Sequence, residues 1–378
     1  MSKPKNILYL ALSTFSQTGG IEKVNKGWLK ALSNMVNEQQ IQLRAHILLD
    51  ETPDERYIGK ANFKGFKGNK ILFMFAGLFA IFKADTIIVS HINLGLLVVL
   101  AKIINPKINI FLHAHGVEVW RILSIVQKIA LIKANNILAV SEFTKQELIK
   151  RHHIKADKII VFPNALDPFF EIPKSLEKPA SLLERYALSK DQKILFTLAR
   201  LSSSEQYKGY EQVIQVLPEL LKQHPDLIYF IGGKADESEQ KKLETLIASL
   251  HLEDRVKLLG YITEEELTNH YLLADIFVMP SEGEGFGIAF IEAAACGRPV
   301  LAGNTDGSRQ AIMEGQTGLL CCPGKESDII YKISALLNFV TTKMDIQYAA
   351  LNAYSFDGYK QQIQSFLNKL NSQQEINS

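Results

Sequence analysis

Cysteine is scarce in this chain of 378 residues: Cys296, Cys321 and Cys322 are the only three. An odd number, two of them adjacent, excludes a secreted disulfide framework and points to a reducing compartment. No C-x-x-C pair occurs, which argues against a structural zinc site. No G-x-G-x-x-G is present, so the dinucleotide fingerprint of a dehydrogenase is missing. Long apolar runs are lacking too. ILFMFAGLFAIF (71–82) has 12 residues, and a membrane span needs about 20. The opening MSKPKNILYLALSTF reads as a buried strand rather than a signal peptide. The expected location is cytoplasmic.

What is present is an ordinary globular composition, 47% hydrophobic and 22% charged, long enough for two cores. The small net charge of +2 hides an asymmetry. Residues 1–180 carry 24 Lys+Arg against 14 Asp+Glu, a net +10, and the remainder carries 18 against 26, a net −8. Two domains with different partners are implied. The lysines of the first half flank apolar runs and form no dense Arg-rich stripe. That pattern favours an anionic membrane surface, at the inner face of the cytoplasmic membrane, over nucleic acid.

Short apolar runs alternate with helical periods. ILYLAL (7–12), LRAHILL (43–49), TIIVSH (86–91), INIFLHAH (108–115), NILAVS (136–141) and KIIVFP (158–163) read as strands covered on both faces. The pattern restarts at KILFTLAR (193–200) and continues through LIYFIGG (227–233), VKLLGY (256–261), DIFVMPS (275–281) and PVLAGN (299–304). Two Rossmann-like α/β domains follow, 1–180 and 181–355, with the break in the Pro-rich stretch 168–190. The segment 356–370 reads as an amphipathic helix with Phe356, Tyr359, Ile363, Phe366, Leu367 and Leu370 on one stripe, and the polar tail 371–378 as frayed. Open parallel sheets bind ligands beyond the carboxyl ends of their strands, so a cleft lined by both sheets is the expected site.

Four motifs fall at strand ends. SEGEGFGIAFIEAAACGRP (281–299) puts Gly283, Gly285 and Gly287 before a helix that opens near Ile288. Its free N–H groups suit a phosphate or anionic oxygen. Glu284 and Glu292, eight residues apart, could each clamp a vicinal diol. ARLSSSEQYKG (199–209) delivers Arg200 from a strand end, followed by Lys208, as a cationic pair for phosphate. TFSQTGGIEKV (14–24) places Gly19 and Gly20 at the first strand–helix turn. FLHAHGVEVW (111–120) brings His113 and His115 to a strand end. An H-x-H pair can suggest a metal, but no further ligands follow at suitable spacing, so His115 reads better as a neutral hydrogen-bonding partner for a hydroxyl.

Together, PSEGEGFGIAFIEAAACGRPV, ARL…YKG, TGGIE, the HG of HAHGVE, AVSEFTKQEL (139–148) and VFPNALD (161–167) resemble the blocks of retaining glycosyltransferases of family four, in the usual order. The resemblance spans nearly the whole chain. It implies the GT-B fold, with a deep interdomain cleft and a final helix (356–370) crossing back to complete the first domain. It implies an N-terminal acceptor domain and a C-terminal domain for a UDP- or GDP-sugar. Arg200 and Lys208 would hold the donor diphosphate, Glu292 the ribose, and Glu284 with the backbone of Gly285, Phe286 and Gly287 the donor sugar. Ile288 would cover the diphosphate through its amide, and His115 would contact the sugar's primary hydroxyl. Gly20 would lie on the phosphate and acceptor side, and the backbone at Gly260 and Tyr261 would read the base. No cofactor or metal is implied, and no D-x-D pair stands in a suitable context. The stretch between Arg200 and Lys208 is longer than in some relatives.

The acceptor implied is a glycan or glycolipid, in envelope polysaccharide or lipopolysaccharide synthesis. A nucleotide-sugar epimerase of similar fold would need clustered acid–base residues, which are not seen. A glycogen-synthase-like polymerase would open with a K-x-G-G-like block, which TGGIE lacks. A non-catalytic two-domain sugar-binding protein would ordinarily be exported.

Overall fold

Seven short segments of the first half pair side by side and in parallel. The computed structural model describes residues 4–376, with side chains described through Asn368. The strands of the first sheet are β1 (Lys5–Ala11), β2 (Ile41–Ile47), β3 (Phe63–Gly65), β4 (Thr86–Val89), β5 (Asn109–Ala114), β6 (Asn136–Ala139) and β7 (Ile159–Val161). Their spatial order is β3-β2-β1-β4-β5-β6-β7. Every pairing is parallel, as with Tyr9 opposite Ala45 on one side and Ile88 on the other. The order reverses between β1 and β4, so the loops after these two strands diverge and leave a crevice.

The second sheet contains β8 (Ile194–Leu198), β9 (Ile228–Gly232), β10 (Val256–Gly260), β11 (Ile276–Met279), β12 (Val300–Gly303) and β13 (Gly318–Cys321). Its order is β10-β9-β8-β11-β12-β13, again all parallel. The switch point lies between β8 and β11. Two strands had no counterpart in the sequence reading. The three-residue edge strand β3 is too short and lysine-rich to show a period, and β13 is a four-residue run holding one cysteine.

The chain divides into two compact units, residues 1–168 with 355–378, and residues 169–354. The division falls between Pro168 and Phe169, at the start of the Pro-rich stretch. The last helix runs Phe356–Ile376, so the polar tail continues it through Ile376. Of the expected stripe, Tyr359, Ile363 and Leu367 are buried, while the side chain of Leu370 lies outside the described residues. Tyr359 stacks edge-on against Phe162 at 5.4 Å, and Phe366 against Phe111 at 4.9 Å, which fixes this helix to the first unit.

Its partner is the helix Gly20–Asn37, whose buried side bears Val24, Trp28, Leu29, Leu32 and Met35. Trp28 is fully buried, with His113 at 4.8 Å, Phe162 at 5.4 Å and Tyr359 at 6.4 Å. One indole thus joins the first helix, β5, the chain after β7 and the last helix. Among the described residues, no helix is long and apolar enough to cross a membrane.

Trp28→Ala should cost about 3–5 kcal/mol, because the cavity cannot collapse with four elements meeting there. Urea denaturation followed by the fluorescence of Trp120, the second of the two tryptophans, checks this. A loss below about 1 kcal/mol would mean that the indole is not the junction described.

Candidate active site

Two loops meet at the switch point of the second sheet: residues 199–209 after β8 and 280–287 after β11. They are bound by backbone first. The Glu282 amide donates to the Tyr207 carbonyl at 2.9 Å. Gly209 adopts φ +82°, and a Cβ there would lie 2.3 Å from the Pro280 carbonyl oxygen. Only glycine permits that approach.

Across this seam Lys208 forms an ion pair with Glu284. The two side chains are only 15% and 14% exposed, so solvent screens the pair weakly. Burial works against the charge on Lys208, but the Glu284 carboxylate, helped by Tyr207, outweighs it and holds the ammonium above its usual range. The ammonium also stands 5.1 Å from the centre of the Tyr207 ring. Burial raises the Tyr207 hydroxyl to about 12.

Glu284 is clamped from behind by residues that the sequence reading missed. Asp306 accepts from the Glu284 amide at 2.6 Å, from the Ser281 hydroxyl at 2.9 Å and from the Ser308 amide at 2.9 Å. The Gly307 amide donates to the Glu284 carbonyl at 2.8 Å, and a Cβ on Gly307 would fall 2.0 Å from the Gly285 carbonyl oxygen. Burial raises Asp306 to about 6, against the hydrogen bonds that favour its ionised form. The only signal in the sequence was an Asp-Gly pair shortly after an apolar run.

The helix Ile288–Ala295 opens immediately after this loop, from Gly287 at φ 90°. Phe286 and Ile288 are buried. Glu292 is fully buried, and one of its oxygens accepts from the Tyr271 hydroxyl at 2.9 Å. Arg200 stands at the end of β8, exposed and paired with Glu205. Gly260 ends β10 with φ +68°, its carbonyl accepting from the Gly233 amide at 2.7 Å, and Tyr261 is exposed beside it. The second unit therefore brings Lys208, Glu284 and the start of the 288 helix together, with Arg200 on the neighbouring rim.

In the first unit, the crevice between β1 and β4 is bordered by two anchored loops. Asp50, buried beyond β2, accepts from the amides of Thr14, Phe15 and Ser16 and from the Ser16 hydroxyl at 2.6–3.4 Å. It pins the segment leading to Gly19 and Gly20, and Gly20 is exposed at the start of its helix. His115 follows β5. Its Nε2 lies 2.7 Å from the Ser90 carbonyl beyond β4, and its amide donates to Glu118 at 2.6 Å. A carbonyl only accepts, so Nε2 carries the proton and Nδ1 keeps a lone pair. Nδ1 is buried without a protein partner. Burial lowers the ring to about 4, so it is neutral at ordinary pH. His113 turns inward onto Trp28, and its ring is held far below the usual range by burial. Among the described residues, no group of three or more His, Cys, Asp or Glu side chains is placed to hold a metal ion.

Two parallel sheets of this topology, with two loops meeting at the switch point of the second, define a two-domain Rossmann-like protein. The profile for Glycosyltransferase Family 4 matches residues 19–169, and that for Glycosyl transferases group 1 matches residues 181–352. The chain belongs to this glycosyltransferase family, with the GT-B fold. It is 35% identical over 146 residues to the GDP-mannose-dependent alpha-(1-6)-phosphatidylinositol monomannoside mannosyltransferase of Mycolicibacterium smegmatis, covering 37% of each chain. It is 30% identical over 195 residues to O-antigen chain mannosyltransferase B of Escherichia coli, covering 51% of this chain and 49% of that one. The matched stretch thus spans about half or less of these relatives' length. The crystal structure of Anabaena HepE in complex with UDP superposes with a TM-score of 0.78 at 20% identity, covering 96% of this chain and all of that one.

The buried histidines set an acid limit on the first unit. His46, His91 and His115 are lowered to about 4, each chiefly by burial. A folded-state value below the unfolded 6.5 gives stability that is complete above pH 6.5 and is lost as pH falls toward 4. At pH 5 each imidazole should cost about 2 kcal/mol. Trp28 and Trp120 both lie in this unit, so urea midpoints from tryptophan fluorescence at pH 7 and pH 5 report it. A midpoint unchanged at pH 5 would contradict the buried neutral rings.

Proposed function

We propose that the chain is a retaining, metal-independent hexosyltransferase that moves a hexose from UDP-sugar or GDP-sugar to a glycan or glycolipid acceptor. The observation that carries this reading is the half-buried Lys208–Glu284 pair at the mouth of the 288 helix. A diphosphate leaving group gains negative charge as the glycosidic bond breaks. Lys208, Arg200 and the amides at Gly287 and Ile288 are the groups that would meet that charge. Glu284 and the backbone of Gly285 and Phe286 would then hold the sugar. Glu292 would take the ribose hydroxyls, with Tyr271 fixing its orientation. Glu292 is fully buried, so a ribose would reach it only after its surroundings move. The exposed backbone at Gly260 and Tyr261 would read the base.

In the first unit, the Gly20 turn would meet phosphate and acceptor. The lone pair on His115 Nδ1 would accept from a sugar hydroxyl, a role open only to a neutral ring. Retention follows from attack on the face the diphosphate leaves, with a phosphate oxygen taking the acceptor proton, so no carboxylate nucleophile is assigned. A GDP-mannose-dependent relative and a UDP-bound structural neighbour support a nucleoside diphosphate donor and leave both bases open. The names of the two bacterial mannosyltransferases support a glycolipid or O-antigen-type acceptor; in this reading transfer takes place at the inner face of the cytoplasmic membrane.

A thermal-shift panel of UDP, GDP, ADP and CMP, with and without EDTA, is the direct test. A diphosphate at 100 times its dissociation constant should stabilise by about 2.7 kcal/mol, and EDTA should not alter the shift. No shift with any nucleotide would overturn the donor site. Arg200→Ala should weaken binding about tenfold, near 1.4 kcal/mol, because the exposed guanidinium loses one charge-assisted contact. Glu292→Ala should weaken it as well, and wild-type affinity in that variant would remove the ribose from Glu292.

A further inference from the structure

One side of the first sheet is covered by the helices Lys70–Ile81, Gly95–Ile104 and Ile125–Lys133. They are neighbours in one layer. A Cβ on Gly77 of the first would sit 3.3 Å from Leu97 of the second, and one on Gly95 would sit 3.0 Å from Ala130 of the third. Their inner faces supply core residues such as Phe73, Ile81, Leu97, Val98, Ala130 and Leu131. The outer faces of such a layer are ordinarily polar. Here they are apolar as well. On the first helix Phe75 is 62% and Phe79 75% exposed, with Phe82 at 71% just beyond it. On the second, Leu96 and Ile103 point outward, and at the third so do Ile122, Ile125 and Ile132, with Ile122 at 95%.

The charges on this layer are of one sign. None of the three helices contains Asp or Glu, and their only ionisable residues are Lys70, Lys102, Lys128 and Lys133. At one border a groove of about 660 Å³ separates the first helix from β2 and β3. Phe75 and Phe79 line it together with Arg44, Lys64 and Lys83, none of which is in an ion pair among the described residues. An exposed apolar face spread over three helices goes beyond the scattered apolar residues of a free surface, and helices without acids bordered by Arg44, Lys64 and Lys83 match an anionic layer.

We propose that this three-helix face docks on an anionic bilayer, its phenylalanines and isoleucines entering the acyl boundary while Arg44, Lys64 and Lys83 meet lipid phosphates. The face has a direction. Leu96 lies in the first turn of the helix after β4, and Ile122 and Ile125 follow His115 by seven and ten residues. The docked edge therefore includes the carboxyl-end rim where His91 and His115 lie. A lipid-linked acceptor would meet that rim at headgroup level. That last step rests on the proposed transfer, whereas the docking itself does not.

The test is co-sedimentation with vesicles of phosphatidylcholine alone or mixed equally with phosphatidylglycerol, at low and high salt. Nucleoside diphosphate binding is measured on the same samples by thermal shift. The protein should sediment with the mixed vesicles at low salt, less at high salt and little with phosphatidylcholine. Phe75→Ser with Phe79→Ser, and separately Ile122→Ser with Ile125→Ser, should each lower partitioning at least about tenfold. Both variants should keep the wild-type melting temperature and nucleotide shift, because the side chains replaced are exposed. Failure to bind mixed vesicles at low salt would overturn the docking. So would binding that both variants retain, equal binding to neutral vesicles, or a dimer that the substitutions dissolve in place of vesicle binding. Loss of the nucleotide shift in wild type, with docking intact, would strike the proposed transfer and leave the docking standing.

Discussion

The candidate site of the second unit is organised around one ion pair. Lys208 and Glu284 come from loops after adjacent strands, β8 and β11, and meet where the strand order reverses. Each would be costly to bury alone, and each is tolerable because of the other. The rest of the site can be read as what keeps them together. Gly209 and Gly307 let backbone approach backbone, and Asp306 and the Gly307 amide hold Glu284 from behind. The Tyr207 ring lies near the Lys208 ammonium. Arg200, at the end of β8, is itself paired with Glu205. In this account the site binds by exchanging partners: phosphate oxygens replace carboxylates on both cations, and Glu284 is released toward sugar hydroxyls.

The first unit is built on a different economy of polar groups. Its crevice is lined by groups fixed through backbone contacts: Asp50 takes three amides, and the His115 ring is set by the Ser90 carbonyl. These leave a neutral, directional acceptor at Nδ1 instead of a fixed charge. Four of the unit's lysines, Lys70, Lys102, Lys128 and Lys133, lie on the outer helix layer, which carries no acid.

Much of this was legible from residues in order. Near-continuous apolar runs marked eleven of the strands because parallel strands covered on both faces need no polar alternation. Glu284, Lys208 and Arg200 were visible because glycine-rich turns and isolated cations directly after such runs are informative. β3 and β13 were not, since three or four residues cannot establish a period. Asp306 and Asp50 were hidden for another reason. Each acts on backbone amides of a distant loop, and nothing in a linear sequence distinguishes such a carboxylate from a solvated one. The helix Lys70–Ile81 shows the same limit in reverse. Its apolar run fits a buried helix, yet only one side is buried, because the sheet beneath offers a single face and both sides of the helix are apolar.

If the proposed donor site is right, Lys208 must leave Glu284 to take the diphosphate. Isothermal titration of UDP and GDP into Glu284→Gln tests it most directly. Removing the carboxylate's charge while keeping its shape frees the ammonium, so the preferred nucleoside diphosphate should bind at least as tightly as to wild type, while sugar transfer falls by an order of magnitude or more. Weaker nucleotide binding in Glu284→Gln would contradict the account. It would mean that the pair supports the phosphate site as it stands and is not exchanged on binding.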